Sequence, residues 1–202
     1  MKRSFNIYLI AVLTIFLAFL LSGCNSGNRD EKSSTPKQKV QIADESLYQL
    51  EGEWHNQHGD TLQLNKLKGK IPVMTMMFTR CDFSCPRVVA DLKKIEKQVP
   101  EDKKDQVVFV LVSFDSERDT PDKLKEFAKK MKLNDKWLLL HGDEEQVREL
   151  SMLLDVKYKK QPDGSFSHSN GITLLDTGGS IAAHVEGLGV DPKPIVSRFN
   201  DL

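Results

Sequence analysis

Two cysteines in the segment MFTRCDFSCPR (residues 77–87) are the residues of this chain whose types and spacing could do chemistry. Cys81 and Cys85 are separated by three residues, whereas the familiar redox-active pair is separated by two. Thiolates are soft ligands that suit Cu(I), and an added imidazole nitrogen makes a site suitable for both copper oxidation states. The pair could therefore bind a metal, exchange disulfides with a partner, or form a structural bridge.

A purely structural disulfide between Cys81 and Cys85 would add little to the stability of the fold. The bridge would close a loop of about five residues, worth roughly 2 kcal/mol, against about 3 kcal/mol for a fifteen-residue loop. A folded domain of this length, in a chain with 39% hydrophobic residues, does not need such a bridge. We therefore favour a chemical role for the two thiols.

The flanking elements place the two cysteines at one end of a predicted sheet. The apolar run IPVMTMMF (residues 71–78) is typical of a buried strand. From Cys85 to Pro100, apolar residues recur at helical spacing. Cys81 thus follows a strand and Cys85 begins a helix, where backbone N–H groups favour a thiolate. We expect at least one thiol to have a lowered pKa, namely the one nearer to the helix N-terminus, and Cys81 can fold over the helix start.

Strands and helices alternate along the rest of the chain. We predict strands at residues 107–114 and 137–140, helices that follow Thr120 and Asp143, a hairpin at residues 171–176 and 180–185, and a last helix from Asp191. This order predicts an α/β sandwich in which helices flank a mixed central β-sheet. Ligands in such folds bind beyond the carboxyl ends of the strands, which is where Cys81 lies.

The third metal ligand has to come from one of five histidines. Four of them are interpreted as turn, surface or strand-face residues, namely His55, His58, His141 and His184. His168 lies in SFSHSNG (residues 165–171), which we interpret as a loop before a strand. In a thioredoxin-like sandwich that loop faces the cysteine loop. The residues alone leave open whether His168 is a ligand or a surface side chain.

The N-terminal residues are typical of an export signal. A basic start precedes an apolar run (residues 7–21), which is short for a membrane span, and LSGC (residues 21–24) follows. LSGC resembles a bacterial lipobox, which implies that residues 1–23 are a lipoprotein signal peptide and that Cys24 carries lipid. An uncleaved anchor helix is the alternative. Either arrangement places the chain at the extracytoplasmic face of the bacterial cell membrane.

The segment after the lipobox is predicted to be a flexible tether. Residues 25–39 contain no large apolar side chain and cannot bury enough surface to become ordered. We therefore assign residues 24–45 to the lipidated cysteine and tether, and residues 46–202 to the folded domain. The formal net charge of zero gives no indication of a nucleic-acid partner.

The order of these elements resembles the Sco/SenC family across residues 46–202. The matching stretches, in order, are the cysteine loop, SFDSERDTP, WLLLHG and HSNGITLLD. The resemblance implies a membrane-anchored protein with a thioredoxin-like fold that binds copper for the assembly of cytochrome c oxidase. It implies copper ligands at Cys81, Cys85 and His168, a disulfide between the two cysteines when they are oxidised, and a partner oxidase subunit that carries the CuA site.

Two stretches depart from the family pattern. The family's loop reads Cys-Pro-Asp-x-Cys, whereas this chain has Asp82, Phe83 and Ser84 between its two cysteines. The family pattern D-P-x-R-D-T-P corresponds to residues 115–121, where this chain has Ser116 in place of the first proline. Neither change removes a ligand, but both could alter the rigidity of the loop and the affinity for copper.

Two other functions fit parts of the pattern. A thiol–disulfide reductase would cycle Cys81 and Cys85 on a partner's cysteines without copper as cargo, and Cys81, as the more exposed sulfur, would attack. Peroxide reduction on the same fold would require a Pro-x-x-x-Thr/Ser-x-x-Cys pattern before Cys81, which the sequence lacks. The metallochaperone and the reductase therefore remain as the two hypotheses.

Overall fold

A computed structural model of the chain describes residues 46–202. The predicted signal peptide and tether, including Cys24, lie outside the described residues. Lys39–Leu202 forms one compact unit that contains the whole described core, so this part holds the packing it needs to fold by itself. Within residues 46–202, no helix has the length and apolar character needed to cross a membrane.

The described residues form nine strands and four α-helices. The strands are β1 (Trp54–Asn56), β2 (Thr61–Leu62), β3 (Ile71–Met77), β4 (Val107–Ser113), β5 (Trp137–His141), β6 (Tyr158–Lys160), β7 (Phe166–His168), β8 (Gly171–Leu175) and β9 (Ile181–Glu186). The helices are α1 (Ser84–Glu96), α2 (Pro121–Met131), α3 (Glu144–Leu153) and α4 (Lys193–Val196).

Seven strands form one mixed sheet in the order β2-β1-β5-β4-β3-β8-β9, and β6 pairs with β7 in a separate hairpin. The three central strands, β3, β4 and β5, run parallel, while β1 and β8 are antiparallel to their neighbours. Every residue of β3 is buried, as expected for a strand covered on both faces. The predicted mixed α/β sandwich is therefore confirmed, and the carboxyl ends of β3, β4 and β5 meet at one edge.

The helix starts agree with the predicted caps. Thr120 is the N-cap of α2 with Pro121 in its first turn, and Asp143 forms a capping box with Gln146 at the start of α3. The last helix, α4, is a single turn that continues as a 3-10 helix through Ser197–Asp201.

One interpretation of the sequence was wrong. Residues 165–171, interpreted as a loop, contain strand β7, which pairs with β6 so that His168 lies opposite Tyr158. Each strand is only three residues long and none of the six residues is fully buried. The sequence therefore shows no clear alternation of apolar and polar residues that would identify the two strands. His168 therefore lies at the end of a strand.

Candidate metal site

The structure brings the three predicted ligands together. Cys81 lies in the loop after β3, Cys85 in the first turn of α1, and His168 at the end of β7. One ligand atom from each residue lies within 4.8 Å of the other two, and within the described residues no other His, Cys, Asp or Glu cluster of this size is found. Both cysteines are free thiols, with exposed fractions of 8% and 2%.

The sulfur of Cys81 folds back over the start of α1. It accepts a hydrogen bond from the backbone N–H of Cys85 at 3.3 Å and lies 3.0 Å from the hydroxyl of Ser84. A hydrogen bond from the Cys85 thiol, with smaller contributions from Ser84 and backbone N–H groups, lowers the pKa of Cys81 to about 4, against the opposing effect of burial. The lowered pKa thus belongs to Cys81 and not to Cys85, the cysteine that begins the helix, for which it was predicted. The sulfur of Cys81 folds over the helix start and accepts from the Cys85 thiol.

Cys85 has the opposite character. Its hydrogen bond to Cys81 and its burial both raise the pKa of the Cys85 thiol well above the ordinary value. The metal-free pair therefore holds one thiolate and one thiol at neutral pH. Both sulfurs must be deprotonated to ligate a metal, so binding releases the proton of Cys85.

The imidazole of His168 presents its Nε2 atom to the cysteines. Its Nδ1 atom lies 2.8 Å from the carbonyl oxygen of Ser169. A carbonyl can only accept, so Nδ1 carries the proton of the neutral ring and Nε2 keeps a free lone pair. Metal-bound histidines are usually oriented by such a bond from their second nitrogen. The backbone of Ser169 thus fixes the tautomer that a metal requires.

Aromatic rings hold the imidazole from the other side. Phe114 lies 4.9 Å and Phe78 6.0 Å from His168, centroid to centroid. Phe114 also stacks on Tyr158, the residue opposite His168, at 5.2 Å. These contacts restrict rotation of the ring and make one wall of the site apolar.

The SFDSERDTP stretch positions the hairpin that carries His168. Arg118 forms a 2.6 Å ion pair with the buried carboxylate of Asp115 and donates to the carbonyl oxygen of Gly164 in the β6–β7 turn. Gly164 has a φ of 77°, and a Cβ atom there would lie 2.7 Å from the guanidinium of Arg118. Glycine is therefore required at this turn, both for its backbone conformation and for the close approach of Arg118.

The same stretch also holds the cysteine loop. Asp119, with an exposed fraction of 1%, accepts hydrogen bonds from the backbone N–H of Thr79 at 2.8 Å and from the hydroxyls of Thr79 and Ser113. Thr79 is two residues before Cys81, and Ser113 ends β4. One buried carboxylate thus links the ends of β3 and β4 to the start of the cysteine loop.

Sequence reasoning missed the roles of Ser84, Arg118 and Asp119. In the sequence, Ser84 stands out only because it belongs to a loop that departs from the family pattern. Arg118 and Asp119 stand out only as parts of the family pattern, and a pattern does not say which atoms are in contact. Two aspartates of these stretches lie near the site but are not among the ligands. Asp82 is exposed and pairs with Lys130 at 3.3 Å. Asp115 acts through Arg118 and is not in the group of ligand atoms.

The chain matches a family of known proteins over its whole described part. The SCO1/SenC family model matches residues 43–202, which is most of the chain. The chain belongs to the SCO1/SenC family.

Individual relatives of this SCO1/SenC chain are moderately similar. A Stutzerimonas stutzeri protein, provisionally named as copper-binding, is 28% identical over 134 residues, which cover 64% of this chain and 65% of that protein. A SCO1/SenC family lipoprotein from Bacillus anthracis is 28% identical in sequence to this chain. Its crystal structure superposes with a TM-score of 0.67, and the match covers 75% of this chain and 92% of that one. BsSco, described as a Sco-family cytochrome c oxidase assembly protein with a disulfide switch, is 26% identical in sequence to this chain. The TM-score is 0.64, and the match covers 75% of this chain and 91% of BsSco.

The site of this SCO1/SenC chain opens into a cleft of about 580 Å³. Phe83, with an exposed fraction of 68%, lies at its rim, and the guanidinium of Arg87 stacks over the ring at 3.7 Å. A larger cleft of about 650 Å³ lies beyond Phe166 and contains none of the three ligands. Cys81 and His168 therefore line a cleft that a partner protein can approach, whereas Cys85 is buried and is not part of its lining.

The lowered pKa of Cys81 predicts an unusual pH dependence of thiol alkylation. An ordinary cysteine with a pKa of about 8.5 gains nearly tenfold in thiolate per pH unit between pH 6 and 8. Cys81, with a pKa of about 4, is already fully ionised over this range, so its rate with iodoacetamide should change by less than about twofold. Mass spectrometry of the reduced protein would measure the rate, with the guanidinium-unfolded chain as control. A tenfold rise per pH unit in the folded protein would contradict the assignment.

Proposed function

We propose that this SCO1/SenC chain is a copper metallochaperone, tethered by lipid on Cys24 to the extracytoplasmic face of the bacterial cell membrane. Its task is to supply copper for the CuA centre of cytochrome c oxidase, with the oxidase subunit that carries CuA as its partner. Family membership, the names of the Stutzerimonas, Bacillus anthracis and BsSco proteins, and the lipobox-like LSGC segment support this proposal. The observation that carries it is the group formed by Cys81, Cys85 and His168.

The chemistry of the three residues suits copper as cargo. Two sulfurs and one imidazole nitrogen form a soft donor set that can accept Cu(I) and Cu(II). Asp82, the carboxylate nearest in sequence to the cysteines, is exposed and paired with Lys130, and hard cations such as Mg²⁺ or Ca²⁺ prefer oxygen ligands. His168 is only half-buried, so the cleft allows a receiving protein to reach the ion directly. A copper site that a partner can reach from the side of His168 suits a delivery protein.

The metal proposal predicts stoichiometric copper binding by the reduced Lys39–Leu202 unit. Anaerobic titration with Cu(II) should show one equivalent bound, with intense sulfur-to-copper charge-transfer absorption. His168→Ala should weaken binding and change the spectrum, because the only nitrogen ligand is lost. His58→Ala, at an exposed histidine outside the site, is the matched control and should behave like the parent chain. Absence of a charge-transfer band in the parent chain would refute the metal proposal.

A thiol–disulfide reductase is the second candidate, and the asymmetry of the two thiols favours it. The Cys81 thiolate would attack one sulfur of a partner disulfide and form a mixed disulfide, while the partner's S–S bond breaks and its other sulfur leaves as a thiolate that takes a proton from solvent. Cys85 would then attack Cys81, lose its proton to the departing sulfur and close the Cys81–Cys85 disulfide, so that the partner gains two electrons. This reaction predicts a reduction potential matched to the partner disulfide. The His168→Ala variant should keep the turnover of the parent chain but should bind copper more weakly.

A further inference from the structure

We propose that Ser84 is a positioning residue of the metal site. Its hydroxyl links the Cys81 sulfur to the His168 nitrogen in the metal-free protein. Once copper occupies that nitrogen, the same hydroxyl donates to the Cys81 sulfur and favours Cu(I) over Cu(II). The second half of this inference rests on the proposed copper-binding function, whereas the first half does not.

The position of the hydroxyl is the first observation. Ser84 Oγ lies 3.0 Å from Cys81 Sγ and 3.1 Å from His168 Nε2. It therefore bridges two of the three proposed ligands, which lie 87 residues apart in the chain. A hydroxyl has a single proton to donate, and both the Cys81 thiolate and the Nε2 atom of His168 can accept it in the metal-free protein.

Helix capping does not explain this hydroxyl. A capping side chain accepts a bond from a backbone N–H two or three residues further along. Phe83 is the N-cap residue of α1, and its side chain makes no cap hydrogen bond; the backbone N–H of Cys85 instead donates to the sulfur of Cys81. Ser84 is the first residue of the helix, and its hydroxyl contacts are to the sulfur and the imidazole.

The tautomer of His168 decides where the hydroxyl proton goes. Nδ1 donates to the carbonyl of Ser169, so Nε2 has a lone pair and competes with the Cys81 thiolate for the proton of Ser84 in the metal-free protein. A metal ion that takes the Nε2 lone pair removes that acceptor. The Cys81 sulfur, 3.0 Å away, is then the remaining acceptor within the bridge.

A hydrogen bond to a ligating thiolate has a known direction of effect. It withdraws electron density from the sulfur, and hydrogen bonding around a cysteine ligand is one means by which proteins tune copper potentials. A sulfur that donates less electron density to the copper ion stabilises Cu(I) relative to Cu(II). In the family pattern Cys-Pro-Asp-x-Cys, Ser84 occupies the variable position, so this hydroxyl is a property of this chain and is not dictated by the pattern.

The metal-free half of the proposal is tested by nitrogen NMR of the reduced Lys39–Leu202 unit labelled at histidine. Removing the hydroxyl in Ser84→Val should move the Nε2 resonance of His168 downfield, because that atom loses its hydrogen bond. Ser84→Thr has nearly the same shape as the valine variant, keeps the hydroxyl and should retain the parent position. Ser167→Ala, at an exposed serine beside His168, is the control. An unchanged resonance in Ser84→Val would overturn the hydrogen bond.

The metal-bound half is tested by measuring affinities for Cu(I) and Cu(II) by competition with chelators. Ser84→Val and Ser84→Ala should raise the ratio of Cu(II) to Cu(I) affinity about tenfold, which corresponds to a potential lower by about 59 mV for one electron. Their sulfur-to-copper absorption should also move to lower energy. Ser84→Thr should stay within twofold of the parent. A ratio that stays within twofold in Ser84→Val would overturn this half.

The two experiments also separate this inference from the proposed function. If the parent chain binds no copper, the metallochaperone proposal and the metal-bound role of Ser84 both fail. The NMR comparison would still decide whether Ser84 orients His168. If the parent chain binds copper and both readouts are insensitive to Ser84, the function stands and Ser84 has no role in the site.

Discussion

The variant Cys85→Ser is expected to bind copper roughly 10²- to 10³-fold more weakly than the parent chain. Structural zinc sites with four ligands have apparent binding free energies of about 10–16 kcal/mol, or about 2.5–4 kcal/mol per ligand. Each 1.4 kcal/mol is a factor of about ten in affinity. A serine hydroxyl is neither soft nor ionised at neutral pH and cannot replace the thiolate. Anaerobic competition with a Cu(I) chelator would measure the loss.

Two comparisons make the Cys85 experiment specific. Asp82→Asn alters the same loop but changes only an exposed side chain, so copper affinity should stay within about threefold, because exposed charges are strongly screened. Urea unfolding of the metal-free variants would show whether the buried serine has weakened the fold itself, and Cys85→Ala provides a second variant without a buried hydroxyl. Parent-like copper affinity in both Cys85 variants would remove this residue from the ligand set.

The cysteine half of the site was predictable because its signals are local. The apolar run of β3, the helical spacing after Cys85 and Pro86 in the first turn lie within about thirty residues of one another. A strand followed directly by a helix has few alternative arrangements in an α/β fold. General electrostatics predicted a lowered pKa for the thiol nearer to the helix start. The thiol that has it is Cys81, mainly because the loop folds back and lets the Cys85 thiol donate to its sulfur.

The histidine half was not predictable from local pattern. Strands β6 and β7 are short and largely polar, so neither alternation nor length distinguishes them from a loop. The hairpin is held by distant contacts, such as Arg118 with the carbonyl of Gly164 and the ring of Phe114 against His168. Only the family resemblance assigned His168 as a ligand, and the residues alone had left its role open.

The SFDSERDTP stretch shows why motif order is informative even when its roles are hidden. Its Arg118 reaches the turn of the histidine hairpin, while its Asp119 holds the residue two positions before Cys81. The two halves of the site come from distant parts of the chain and have no covalent link near the ligands. The stretch between β4 and α2 therefore fixes their relative position through Arg118 and the buried Asp119. Ser116, where the family has proline, leaves both contacts in place.

Asp119→Ala is expected to lower the free energy of unfolding by roughly 3–5 kcal/mol. The substitution leaves the Thr79 backbone N–H and two hydroxyls without their acceptor in a buried location, and each unsatisfied group costs about 1–3 kcal/mol, with partial compensation by relaxation. Urea denaturation of the metal-free Lys39–Leu202 unit would measure the change. The midpoint should fall while the slope stays constant, because the surface exposed on unfolding is nearly unchanged.

The matched control is Asp122→Ala, which removes the same side chain from an exposed position in the first turn of α2. Its loss should cost at most about 1 kcal/mol, the size of a carboxylate's interaction with a helix N-terminus. Asp119→Asn should lie between the two, because an amide keeps one acceptor oxygen but loses the charge that strengthens these bonds. Because Thr79 leads directly into the cysteine loop, Asp119→Ala should also weaken copper binding at urea concentrations where the variant remains folded. An Asp119→Ala variant no less stable than Asp122→Ala would show that the buried carboxylate does not hold this edge of the sheet together.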